Sequence, residues 1–360
     1  MSNCVTIFVF LPHKLLRMKK ILLTFITIIS IVSCDIKEKG IDVKEKINIE
    51  SRYGNQVITD YDIPIKATDV SGNDISAQTI FYVDGQQQTN NVLRFSASGT
   101  HQITAKITAD GETKESDPLT LNVIDPQSST KVLVEDFTGT WCVNCPRVAY
   151  KLEEAVNQNG NIVPTAIHAS PVPGQDPFSY ANFSYFLNTY GIQAFPSPLV
   201  DRNYVWDENF STLQTELNKN KPMGLAISST INGNNIDITV KVRFDMNFSD
   251  EDLNLIVYLN ENGLHHDQDN GTTYYGGQNP IPNFEHNHTL RFCFTGESGE
   301  SIDNNKEANQ IYIYHYTGTI PSNIDDINNC EIVAFTATND NPVKAINVQN
   351  ATINTTKDFD

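Results

Sequence analysis

Period-two alternation of hydrophobic and polar residues fills both ends of this chain, and helical spacing is confined to the middle. Between about Val57 and Val123 the segments "VITDYDIPIKA", "TIFYVDG", "NVLRFSA", "HQITAKITA" and "LTLNV" each suit one strand. Turn-forming stretches separate them: "SGND", "DGQQQTNN" and "ADGE". Half-buried strands so closely spaced predict a small β-sandwich over residues 56–125. "DPQSST", Asp125 to Thr130, then reads as a polar linker.

Beyond the linker the period changes. "KVLVEDF" is a buried-type strand, "CPRVAYKLEEAVNQNG" a helix closed by Gly160, and "NIVPTAIH" a second strand. "YANFSYFLNTYGI" predicts a helix ending at Gly191, with Phe183, Phe186, Leu187 and Tyr190 along one core-facing stripe, and "SPLVDR" returns as a strand. Strand, helix, strand, helix, strand predicts a parallel sheet with crossover helices over residues 130–220. From Lys221 to residue 360, "GLAISSTINGNNIDITVKVRF", "LNLIVYLNE", "HTLRFCF", "QIYIYHY" and "CEIVAFTAT" predict a second β-sandwich, with a hairpin at "NGNN". The expected fold class is therefore α/β plus all-β, one α/β domain between two β-sandwiches. "FSASGTHQITAKI" resembles the end of an immunoglobulin-like domain, which makes the first sandwich immunoglobulin-like by resemblance.

The N-terminus changes where this protein is expected to work. Met18-Lys19-Lys20 leads into the apolar run ILLTFITIISIVS and then Cys34, the pattern of a secretory signal over residues 18–33. Residues 1–17 read as an upstream, non-native start. Their "TIFVFL" is short beside the roughly 20 apolar residues of a membrane span, and no later segment reaches that length. "SIVSC", with Ile31 and Ser33, resembles a bacterial lipobox. That resemblance implies that Cys34 is lipidated, becomes the mature N-terminus and anchors the protein to a membrane. The alternative is an ordinary signal peptide ending near a cysteine. Residues 34–55, charged and poor in aromatics, then form a tether.

With 43 acidic against 25 basic side chains the net charge is −18, so repulsion opposes encounter with nucleic acid, which is not an expected partner. The candidate chemistry lies in "VLVEDFTGTWCVNCPRVAYKLEE", where Cys142 and Cys145 stand at a predicted strand-to-helix junction. A helix N-terminus favours a thiolate, which makes Cys142 the candidate nucleophile and Cys145, one turn further in, the candidate resolving thiol. A static disulfide is the alternative. Half of a zinc site is disfavoured because the remaining ligands are missing.

Three features make residues 130–220 resemble the thioredoxin superfamily. Trp141 directly precedes the first cysteine, and Asp136 stands six residues before it on the strand. "YGIQAFPSPLVDR" resembles the loop in which a cis-proline, here Pro196, faces the active site. The resemblance implies a thioredoxin-like α/β domain in which Asp136 assists the resolving cysteine and Pro196 shapes the peptide-binding face. Val143-Asn144 replaces the usual Gly-Pro between the cysteines, and Pro146 stands where lysine is common, so the redox direction is not implied. "TGTWCVNCP", "EHNHTLRFCFTG" and "CEIVAFTATNDNPVKAINVQNA" further resemble the outer membrane protein Omp28 family, which implies an envelope lipoprotein on the periplasmic or surface face.

The expected function is thiol-disulfide exchange on exported proteins, whose thiols or disulfides would be its partners. A lipoprotein binding a protein or glycan ligand, with this core as scaffold, is the alternative. Glu135 beside Asp136 competes for the inward position, and the six-residue spacing favours Asp136. Cys293 and Cys330, on or beside predicted strands, are expected to pair as a structural disulfide in an oxidising envelope, with two buried free thiols as the alternative. His265, His266, Asp267, Asp269, His286 and His288 suggest a metal, but "DQDNG" fits no EF-hand loop. They read better as surface or hydrogen-bonding residues, so neither metal nor cofactor is expected.

Overall fold

The computed structural model describes residues 46–109, 111–302, 305–340 and 342–360. The signal segment, Cys34 and the start of the tether lie outside the described residues. The N-terminal part builds two sheets. One joins the strands Asn48–Ser51, Ile63–Thr68 and Val92–Leu93, and the other is led by Gln56–Ile58, Leu119–Ile124, Gly99–Ala109 and Ile80–Val83. The alternation read from sequence is the cause. In Ile63–Thr68 the side chains of Ile63, Ile65 and Ala67 are buried, and they meet Val57, Phe81, Ile103 and Leu121 between the sheets.

The middle of the chain supplies β1 (Val132–Thr138), α1 (Cys145–Gln158), β2 (Ile162–His168), α2 (Phe183–Tyr190), β3 (Ser197–Val200), β4 (Tyr204–Val205) and α3 (Phe210–Leu217). The C-terminal part follows with β5 (Met223–Asn232), β6 (Asn235–Phe244), β7 (Leu253–Glu261), β8 (Leu264–Gln268), β9 (Ile281–His286), β10 (Thr289–Cys293), β11 (Ile311–Thr319), β12 (Cys330–Thr338) and β13 (Ala345–Thr352).

These strands overturn the expected fold class. The chain is mostly β, with three short α-helices among the described residues, and the middle segment forms no separate thioredoxin-like α/β domain between two sandwiches. Strands β4, β3, β1 and β2 continue without a break into β10, β7, β12 and β13 as one nine-stranded mixed sheet, its ninth strand being the short Glu300–Ser301 on β7. β1 pairs parallel with β2 and β2 parallel with β10, while the other pairings along the sheet are antiparallel. The physical reason is visible in burial. A sandwich strand with one wet face alternates, yet every residue of β7 is buried, as are all but the last of β12. Both faces of these strands are therefore covered. β5, β6, β11 and Thr356–Lys357 form a second sheet whose Ile227, Ile238 and Val240 share a core with Leu255, Val257 and Ile332. On the opposite face Phe186 of α2 packs against Phe137, Tyr258 and Phe335. α1 and α3 cover the other end of the first face through Leu152, Ala155 and Leu213.

Candidate functional site

β1 is buried at every position, so neighbouring carboxylates on it face opposite sides of the sheet. Glu135 points into the α2 face, where it accepts two hydrogen bonds from Arg202 (Nε at 2.9 Å, Nη2 at 3.0 Å) and one from the Tyr258 hydroxyl at 2.9 Å. Arg202 also donates from Nη1 to the Glu297 carbonyl at 2.9 Å, and its guanidinium lies over Phe335. Fully buried, this pair ties β1 to the turn after β3, and the Tyr258 hydroxyl ties it to β7. Asp136 points the other way, toward α1, where no hydrogen-bond partner meets its Oδ1. Burial, with Glu208 nearby, pushes its carboxyl up to about 7.

After β1 the chain turns through Gly139 into α1, with Cys142 N donating to Gly139 O at 3.0 Å. Cys145 opens the helix and Pro146 follows in its first turn, where a missing N–H costs nothing. Cys142 and Cys145 form a disulfide, and they are 4% and 1% exposed. Gly139 is required here, because a Cβ would stand 2.6 Å from Trp141 Nε1. That indole donates to Ala169 O at 2.7 Å and meets the Phe195 ring edge-on at 5.4 Å. Phe195–Pro196 is a cis peptide, and β3 begins directly after it with Ser197 opposite Phe137. Trp141, Cys142 and the Phe195–Pro196 turn thus lie together at one end of β1.

Two structures around this loop escaped the sequence reading. Asp176 accepts from Thr140 N at 2.8 Å, from Phe178 N at 2.8 Å and pairs with His168 Nδ1 at 2.9 Å, pinning the 169–182 connection to the cysteine loop. Burial pushes the Asp176 carboxyl up, but His168 and the backbone donors outweigh it, leaving it below the ordinary value. The second is the β8–β9 hairpin, which reaches over from the C-terminal part. Gln268 Nε2 donates to Gly139 O and Cys142 O at 3.2 and 3.0 Å, Asp269 N to Thr140 O at 2.8 Å, and Gly271 N to Val143 O at 2.6 Å. The carbonyls of the cysteine loop are therefore read by one extended segment. Tyr274 and Tyr275 of the same hairpin pack on Tyr150 of α1 at 5.0 and 5.7 Å. No local signal in "HHDQDNGTTYY" marks this role, since it depends on a contact with residues more than a hundred positions away.

The histidine string resolves differently. His265 and His266 are exposed, His288 pairs with Glu331 at 2.6 Å, and His286 is buried beside His168 with its rings 5.2 Å apart. No group of residues suited to a metal occurs among the described residues. Burial, then His168, lowers the His286 ring to about 3, so it is neutral. His286, Asp136 and Cys145 line one cavity of about 250 Å³ between α1 and the hairpin.

The expected Cys293–Cys330 disulfide is absent and both thiols are free. Cys293 pairs with Tyr258 and Cys330 with Glu261, on opposite sides of β7, so the two are separated by two strand spacings, about 10 Å, and by three residues along the strand, about 10 Å more. Their side chains also belong to cores on opposite faces of the sheet. A disulfide requires Cα atoms within about 7 Å, so the framework forbids it. Burial pushes the Cys293 thiol up to about 11.

Comparison with known proteins adds a family. No curated protein matches the chain. Among solved structures it is similar to HBP35 of Porphyromonas gingivalis, at 17% identity over 64% of this chain and 77% of that one, with a TM-score of 0.49. It is also similar to a domain of the outer membrane lipoprotein Omp28 from Porphyromonas gingivalis, at 19% identity over 37% of this chain and 89% of that one, with a TM-score of 0.25. The family described as Outer membrane protein Omp28 matches residues 184–357, a span that takes in Pro196, the hairpin and both free cysteines and begins after the disulfide. The outer membrane, the location expected from the sequence, is that of the matched family. Residues 184–357, a little under half of the chain, are thus similar to the Omp28 outer membrane proteins.

Proposed function

We propose that this protein exchanges disulfides with exported polypeptides at the outer membrane, held there by a lipid on Cys34. The observation that carries the reading is the Cys142–Cys145 pair at the N-terminus of α1, beside Trp141 and the Phe195–Pro196 turn, with the buried Asp136 carboxyl on the same cavity as Cys145. In one direction a substrate thiolate attacks Cys142 Sγ, the Cys142–Cys145 bond breaks, and Cys145 leaves as a thiolate that takes a proton from Asp136. A second thiolate of the substrate then attacks the substrate sulfur bonded to Cys142 and releases Cys142 as a thiolate, so the substrate gains a disulfide and loses two electrons to the pair. The reverse sequence reduces a substrate disulfide, with Cys142 attacking and Cys145 resolving. A carboxyl that titrates near neutrality holds or yields the proton in either direction.

One observation favours a second reading, in which the protein binds a protein or glycan partner and the disulfide is a static strut: Cys142 is only 4% exposed. A trapping experiment separates the two. The Cys145→Ser chain, expressed with its anchor, is expected to accumulate reductant-sensitive adducts through Cys142 with envelope proteins, and Cys142→Ser is expected to form none. Absence of adducts from a folded Cys145→Ser protein would overturn the exchange reading in favour of the strut.

A further inference from the structure

We propose that β11 is a docking edge for a second copy of this chain, the two copies pairing antiparallel about a two-fold axis through His315. β11 is the outermost strand of its sheet, and no strand among the described residues pairs with its far side. It runs beside β6 without a bulge, from Ile311 opposite Arg243 to Thr319 opposite Asn235. Hydrogen-bonded and open pairs alternate along such a ladder. Phe244 N donates to Gln310 O and Ile320 N to Asn234 O at its two ends, so the even-numbered residues of β11 bond to β6. The backbone groups of Ile311, Ile313, His315, Thr317 and Thr319 therefore point away from the sheet, and these are the exposed positions of the strand.

Folded proteins blunt such an edge by shortness, charge or cover. The nine-stranded sheet does so at both ends, since β4 has two residues and β13 is mostly buried. Thr356–Lys357, at the other edge of the β11 sheet, also has two residues. β11 has nine, among them no lysine, arginine, carboxylate or proline, and its Ile311 and Ile313 are 48% and 53% exposed. The symmetry of the edge selects the occupant. An axis through His315 sets it opposite the partner's His315, Ile313 opposite the partner's Thr317 and Ile311 opposite the partner's Thr319, so every outward N–H and C=O of the strand is paired. On the inner face the same register sets Tyr314 beside the partner's Tyr316, covering half-buried rings with one another. Charge agrees. The chain carries −18 overall, yet β11 is free of charged pairs to repel, and on β6 Lys241 stands next to Ile313 and Asp237 next to Thr317. The axis turns the basic end of each copy toward the acidic end of the other across three strand spacings, about 14 Å, which orients the pair without an ion pair. With one such edge among the described residues, the assembly closes at two.

The test is light scattering of the whole chain in detergent, with bound detergent subtracted. A dimer is expected, and Ile313→Pro is expected to weaken it by about tenfold or more, because proline at an outward position keeps the bonds to β6 and removes a donor the partner needs, twice per dimer. The thermal transition of the monomer should be kept. On mild oxidation His315→Cys is expected to give a disulfide-linked dimer, while Thr319→Cys, whose counterpart lies at the far end of the paired strand, gives no more than the native chain. A chain that stays monomeric at hundreds of micromolar overturns the proposal and leaves the edge to a strand of another protein. A dimer that Ile313→Pro leaves intact, or equal linking of the two cysteine variants, overturns it too.

Discussion

Asp136→Asn should make the oxidised protein more stable at alkaline pH, by an amount that depends on pH in a calculable way. The carboxyl rises from an ordinary 3.8 to about 7 in the folded chain because it is buried without a partner. Below 3.8 both folded and unfolded states carry the proton, so the group costs nothing. Between 3.8 and about 7 the unfolded chain releases the proton and the folded chain keeps it, so stability falls as pH rises. Above about 7 the full penalty is present. A shift of about 3 units at 1.36 kcal/mol each amounts to about 4 kcal/mol. Asparagine cannot ionise, so its protein escapes this loss, although its buried amide adds a roughly constant cost of about 1–3 kcal/mol. The quantity to measure is therefore the change in the mutant-minus-native difference between pH 4 and pH 8, from urea unfolding at matched slopes. It should move by up to about 4 kcal/mol in favour of the mutant. A difference that stays flat, or that moves against the mutant, refutes the claim that Asp136 is buried and unpaired.

Three further outcomes follow from the same geometry. Arg202→Met leaves Glu135 charged and buried and should cost about 3–5 kcal/mol in denaturant unfolding, most of it recovered in the double variant with Glu135→Leu. Gly139→Ala places a methyl 2.6 Å from Trp141 Nε1 and should release the indole from Ala169, seen as a red-shifted Trp141 emission in a Trp206→Phe background. Peptide mapping after alkylation in denaturant without reductant should find Cys293 and Cys330 modified and Cys142 and Cys145 protected.

What was legible in the sequence was local. The start of α1 at Cys145 follows from Pro146 in the first turn and the apolar stripe of Val148, Leu152 and Ala155, all within a few residues. The end of α2 follows from Gly191, whose left-handed backbone (φ 63°) closes the helix onto Leu187 O. The alternation in Ile63–Thr68 likewise announces one wet face. Pairing between distant segments left no such mark. Nothing in "NIVPTAIH" says that its outer edge is taken by Thr289 from the C-terminal part, yet that contact merges two expected domains into one sheet. Glu135 and Asp136 were ambiguous for the same reason, since β1 is covered on both faces and both carboxylates are inward. The absent Cys293–Cys330 bridge is a question of strand order, which spacing along the chain does not encode.

The family match and the disulfide occupy different stretches of sequence, and the structure makes them one site. The matched region begins at residue 184, yet its residues 268, 269 and 271 donate to the carbonyls of residues 139, 140, 142 and 143. Without the hairpin, those carbonyls and the Asp136 side of α1 face solvent. The desolvation that lifts the Asp136 carboxyl toward 7 is then lost, and so is the enclosure of the cavity. In the proposed exchange, the surroundings of the Cys142–Cys145 pair are therefore not set by Val143-Asn144 alone. They are shared with a hairpin that the C-terminal region contributes, so changes in "HHDQDNGTTYY" act on the cysteine loop as directly as changes between the cysteines do.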